Sequence, residues 1–135
     1  SQKEILLRVP EVNELLKFFK INYDELVVLA ILIDGGIRQS EQGIYAFIEH
    51  FGGSLSSLNS INNALHGLIA KGYVISNTKN RLSKTIFGAL SLRTSRFYCK
   101  QANTGNSQQF IMFLHQLHQV RGQLNCQKSS QYLES

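Results

Sequence analysis

A mainly helical α+β fold is predicted by three observations. Apolar residues recur at helical spacing in five separate segments, and a short β-prone run, Tyr73-Val74-Ile75, stands between the fourth and the fifth. The third is size: 135 residues with 43% apolar content and one proline suit a single domain with one core. Residues 1–135 are therefore expected to form one unit, with a core module at about 10–100 and a further helix after it.

The elements follow in order. Val12, Leu15, Leu16 and Phe19 share a helical face, Pro10 suits a first turn and Glu11 favours a helix N-terminus, so a helix is expected over about 10–20. Asn22 and Glu25 have capping-box spacing ahead of LVVLAILI at 26–33, whose apolar character on every side predicts a buried central helix ending near Asp34 and Gly35-Gly36. Ser40 can cap a third helix with Ile44, Phe47, Ile48 and Phe51 as its stripe and Gly52-Gly53 as its end. In the fourth, Leu58, Ile61, Leu65, Leu68 and Ile69 line one face, and Gly72 stands where a left-handed C-cap belongs.

After Tyr73-Val74-Ile75, residues 77–81 carry turn chemistry. The run 82–100 predicts a long basic hairpin whose second strand lies near 95–100; residues 82–90 are open between loop, strand and short helix. QANTGNS at 101–107 is a turn, and Asn106 can cap a last helix over about 106–121 with Phe110, Phe113, Leu114, Leu117 and Val120 on its apolar face. From Gly122 to residue 135 a weakly ordered tail is expected.

Charge divides the chain. Residues 1–49 hold five Lys or Arg against eight Asp or Glu, whereas residues 50–133 hold nine Lys or Arg and no carboxylate, within a net charge of +5. A segment of that length without internal counter-charge projects positive potential, which points to an anionic partner, nucleic acid first and a membrane surface second. No apolar run reaches the roughly 18–20 residues of a membrane span, and SQKEILLRVPE has none of the layout of a signal peptide. A cytoplasmic protein with no membrane association is the expectation. A chain that starts at Ser1 rather than Met is also what a segment of a longer protein looks like.

Three helices, the third closed by glycine, then strand, basic turn and strand, is the order of a winged helix-turn-helix. ELVVLAILIDGG, GIYAFIEHFG and SSLNSINNALHGLIAKGYVIS resemble the corresponding elements of winged-helix regulators, most closely the multiple-antibiotic-resistance (MarR) type. The most specific stretch is L-x-x-L-I-A-K-G-Y-V at 65–74. The chain departs from that type in the turn NTKNR, which has no Asp, and in lacking a Leu-Thr-x-x-Gly run after it. The resemblance implies a dimerising first helix before the module and another helix after it. The wide apolar face of the last helix suits a partner helix, most simply from a second copy, or equally the domain's own first helix; a homodimer through the last helix is expected.

In such a fold the helix 57–71 would enter the major groove of double-stranded DNA. Opposite its apolar face lie Asn59, Ser60, Asn63, His66, Gly67 and Ala70, with Ser57 at the start of the helix and Lys71 at its end. Asn can pair with adenine, Ser can donate or accept, and Gly67 and Ala70 are small enough for close approach. Lys79, Arg81, Lys84, Arg93 and Arg96 gather around the hairpin, where they would neutralise phosphates. The bland alternatives are an Asn-rich solvated face and cations placed for solubility, and the absence of Arg from the helix face favours them.

Other chemistry is thinly represented. His115 and His118 are three apart and Cys126 follows, but no second ligand pair stands at zinc-site spacing, so no metal is expected. Gly67 to Gly72 copies the start of a phosphate loop, with Tyr73 and Val74 where Lys and Ser or Thr belong. No enzyme and no cofactor are expected. A second class of function fits the same pattern: an interaction or accessory domain of a larger protein, such as an ATPase or replication protein, that docks a partner without reading sequence.

Overall fold

In the computed structural model Asn22 and Glu25 close a reciprocal capping box: the Glu25 N–H donates to Asn22 Oδ1 at 2.8 Å, and the Asn22 N–H donates to Glu25 Oε1 at 3.0 Å. Described are residues 1–35, 40–51, 57–77, 82–84, 90–92, 96–99 and 107–134. The box starts the central helix, Tyr23–Gly35, in which every residue from Leu26 to Ile33 is buried. Burial on all sides explains the absence of a polar stripe, and each of the Leu, Val and Ile side chains stabilises the fold by about 1.5–3 kcal/mol.

Numbered along the chain, the helices are α1 (Gln2–Leu6), α2 (Pro10–Phe19), α3 (Tyr23–Gly35), α4 (Glu41–Phe51), α5 (Leu58–Ala70) and α6 (Ser107–Glu134). Four short strands lie between the last two helices: β1 (Val74–Asn77), β2 (Leu82–Lys84), β3 (Leu90–Leu92) and β4 (Arg96–Cys99). α3 is the hub against which α2, α4, α5, α6 and β4 pack. The result is α+β and mainly helical, and none of the described helices is long and apolar enough to cross a membrane.

The strands form two antiparallel ladders, one nested inside the other along the chain. β1 pairs with β4 from Val74↔Cys99 to Asn77↔Arg96, and β2 pairs with β3 from Leu82↔Leu92 to Lys84↔Leu90. The hairpin expectation of a return strand near 95–100 agrees with β4. Residues 82–84, read as open between three conformations, are strand. Of the turns expected at 77–81 and 101–107, Asn77 instead ends β1 and Ser107 starts α6; the rest, with the Asn106 cap, lie outside the described residues, as do Gly36, Gly52 and Gly53.

Two helical expectations need correction. α1 was not anticipated, yet Ser1 and Glu4 make a second capping box, and Gln2 Nε2 donates to the Leu117 carbonyl at 2.7 Å, tying the N-terminus to α6. The tail expected after Gly122 is instead helical as far as Glu134. A mid-helix glycine costs about 1 kcal/mol relative to Ala, which weakens a helix without ending it, and no Gly or Pro follows before Glu134.

The apolar face of α6 is spent inside the domain. Phe110, Phe113, Leu114, Leu117 and Val120 are all buried, against α3 and its neighbours. A homodimer built on that face is therefore not available, because the monomer already covers it. Past Val120 the described side chains of α6 are exposed or half-buried. Arg121 holds α4 at its end: Nη1 donates to the Glu49 carbonyl and, at 2.9 Å, to that of His50, a cation placed at a helix C-terminus.

Tyr23, at the start of α3, carries a buried hydroxyl without a hydrogen-bond partner among the described residues. Burial, with Asp24 adding to it, pushes its phenol above the ordinary value of 10.0. The folded state thus resists ionisation that the unfolded chain accepts, so this group's contribution is intact below about pH 10 and is lost as pH rises beyond it. Tyr23→Phe is expected to raise stability by about 1 kcal/mol near neutrality and to shallow the alkaline decline, both readable by urea unfolding at pH 7 and pH 10.5.

Candidate nucleic-acid interface

Ser57 starts α5 as its N-cap, with Oγ accepting from the Ser60 N–H at 3.2 Å and 3.0 Å from Ser60 Oγ. Both hydroxyls are engaged with one another and with the helix start, so these two residues shape the helix more than they offer contacts. The other end is a complete Schellman closure. The Tyr73 N–H donates to the Leu68 carbonyl and the Gly72 N–H to that of Ile69, both at 3.0 Å, with Gly72 at φ +82. Glycine is needed there because that φ strains any residue with a Cβ.

Between the caps, Asn59, Asn63, His66 and Ala70 are exposed. At 100° per residue they fall within about 60° of one another and extend over about 16 Å of helix. That is the polar stripe the sequence predicts, minus two members. Ser60 and Gly67 are half-buried at its edge, and Leu58 and Ile69, expected on the core face, are 42% and 37% exposed beside it. Both lie at the margin of the apolar face, where Ile61, Ala64, Leu65 and Leu68 fill the interior.

Gly67 and Lys71 have a different use from the one expected. A Cβ at Gly67 would collide with Glu25 Oε2 and lie 3.1 Å from its Cδ, so the glycine makes room for a carboxylate rather than for a nucleic acid. Lys71 Nζ donates to Glu25 Oε1 at 2.6 Å, where the lysine side chain is 38% exposed and the glutamate 2%. Oε2 has no hydrogen-bond partner among the described residues. Glu25 therefore caps α3 and anchors the end of α5 at once. Spacing within α5 cannot reveal this, because the partner stands 46 residues upstream.

The end of α5 is further held by Tyr73, whose hydroxyl donates to the Phe19 carbonyl at 2.9 Å while its ring meets that of Phe19 edge-on at 5.6 Å. These ties fix the direction in which β1 leaves the helix. Of the predicted hairpin cations, Lys84 closes β2 opposite Leu90 and Arg96 opens β4 opposite Asn77. Lys79, Arg81 and Arg93 lie outside the described residues.

His118 stacks on His50 with ring centroids 5.7 Å apart, and His115 stands beside them. Among the described residues no three His, Cys, Asp or Glu are grouped as a metal ion requires. No known protein family, curated protein or solved structure matches the chain.

Proposed function

We propose that this chain is a winged helix-turn-helix DNA-binding domain, most simply of a transcription regulator. In this reading α4 and α5 are the helix pair, α5 enters the major groove and the β1–β4 hairpin is the wing on the flanking backbone. The observation that carries it is the exposed stripe Asn59, Asn63, His66 and Ala70, on a glycine-capped helix inside an 84-residue stretch, 50–133, with no carboxylate. Lys71 is spent on Glu25, so the stripe has no cation of its own and the phosphate contacts fall to Lys79, Arg81, Lys84, Arg93 and Arg96. Pairing of two copies, where it occurs, is assigned to α6 beyond Val120.

Fluorescence anisotropy on duplex DNA at low and moderate salt tests this. Micromolar binding at low salt that weakens as salt rises is expected, and its absence sinks the reading. Arg81→Ala with Lys84→Ala should weaken binding to every sequence and lower the slope of log affinity against log salt by about two, whereas Asn63→Ala should change sequence preference.

The second reading, a docking domain of a larger protein, is favoured by the exposed Leu58 and Ile69 beside an Arg-free stripe. Apolar flanks suit a protein partner better than a phosphate backbone. Salt-insensitive binding or none on DNA, together with a fused catalytic domain in the full-length gene, would select it.

A further inference from the structure

An open groove of about 430 Å³ runs between α2 and α6, on residues with no part in the nucleic-acid reading. Its apolar lining is Val12, Leu15 and Phe113, all buried, with Phe18 and Met112 at 72% and 56% exposure. Two large apolar side chains so far out of the core are costly to leave in water, and the rings of Phe18 and Phe19 meet in a T-shape with centroids 5.0 Å apart. The polar part of the lining is unequal in sign. Glu11 and Glu14 stand on one face of α2, Gln109 and Gln116 face them from α6, and among the described residues no Lys, Arg or His belongs to the lining.

That composition selects among occupants. An anion would meet two carboxylates without a counter-charge, and a neutral apolar molecule would leave both beside an apolar surface. A second copy placed about a two-fold axis would bring its own Glu11 and Glu14 onto the same patch, since an isologous contact sets a surface against itself. A cation with an apolar body satisfies both parts of the lining. Its body replaces water along Leu15, Phe18 and Met112, and its head sits near the carboxylates and the Phe18 ring face. The volume is in the range of small-molecule sites.

We propose that the α2–α6 groove binds a small amphiphilic cation, an aromatic or aliphatic body with one ammonium head. The proposal stands apart from the DNA reading, and either holds without the other. Met112 is the only methionine of the chain and lines the groove, so a ¹³C-methyl methionine label reports on this site alone. The probe is (4-phenylbutyl)trimethylammonium, set against 4-phenylbutan-1-ol and 4-phenylbutanoate as neutral and anionic counterparts.

The Met112 methyl signal should shift saturably with the cation, at an affinity about tenfold above that for the alcohol, and should not shift with the carboxylate. Glu11→Gln with Glu14→Gln, both on exposed positions, should bring the cation down to the alcohol's affinity and leave the alcohol's unchanged. Equal affinities for cation and alcohol in the unaltered protein overturn the proposal, as does the absence of any shift up to ~10 mM probe. So does a Met112 signal that moves with protein concentration alone, together with self-association in sedimentation that Phe18→Ser abolishes, because the occupant is then a second copy.

Discussion

Lys71→Met is expected to destabilise the fold by about 2–4 kcal/mol, a fall of roughly 10 °C in Tm for a chain of this size. The loss comes from what it leaves behind more than from what it removes. Glu25 is 2% exposed and its Oε2 is unpartnered, so Lys71 is the only described cation that balances the buried carboxylate. Because the lysine side chain is 38% exposed, solvent screens the pair, and the effect belongs toward the lower half of the range for fully buried pairs.

A compensating change separates this cause from simple loss of lysine packing. Glu25→Gln keeps an acceptor for the Asn22 N–H and removes the charge, so the double variant Glu25→Gln/Lys71→Met should recover most of the loss in a thermal melt at pH 7. Equal Tm for Lys71→Met and the unaltered protein would mean that the pair is solvated in practice and that α5 is oriented by other contacts. Tyr73 and the Schellman closure would then be what remains to aim the helix.

Asn63→Asp with His66→Glu is expected to lower affinity for duplex DNA by about 10–100-fold at low salt while leaving Tm within about 2 °C. Both side chains are exposed on the middle of the stripe, so the substitutions disturb no core contact. Against the phosphates that line the groove, two new carboxylates each cost about 1 kcal/mol at surface dielectric. Unchanged affinity would place the DNA on the hairpin alone or elsewhere. The pairing with the Arg81/Lys84 variant is informative: the hairpin change should alter the salt slope, whereas the stripe change should alter affinity and base preference together.

Much of the fold was legible because its signals are local. The Asn22/Glu25 capping box, the all-round apolar run of α3, Ser40 bonding the Gly43 N–H at 3.1 Å and the left-handed Gly72 are each written within a few residues. α1 carries a signal of the same kind, Ser1-x-x-Glu4, but five residues make a helix only with tertiary support, here Gln2 on Leu117 and buried Leu6.

The exposed face of α5 was legible from helical periodicity, whereas the surroundings of Gly67 and Lys71 were not, because both are long-range. Gly67 and Lys71 have the right position on a helical wheel for an outward face, yet Glu25 reaches across from α3 and claims them. Likewise Arg121 counts as a cation in the composition but is bound to the last carbonyls of α4. The count of nine cations and no carboxylate between 50 and 133 therefore overstates what that stretch offers to a polyanion: Lys71 is neutralised by Glu25 from outside it, and Arg121 is tied to backbone carbonyls. The α6 face shows the same limit, since an amphipathic pattern cannot tell a partner's helix from the chain's own core.

The most direct test of the central claim, that α5 presents its stripe to DNA, is a ¹H–¹⁵N NMR titration with duplex DNA that follows the side-chain amides of Asn59 and Asn63 and the backbone of 57–71. These signals and those of the hairpin should move together in a saturable, salt-dependent way while Phe18 and Met112 stay in place. Perturbations that gather on the α2–α6 groove, or that leave Asn59 and Asn63 untouched while DNA is bound, would contradict that claim.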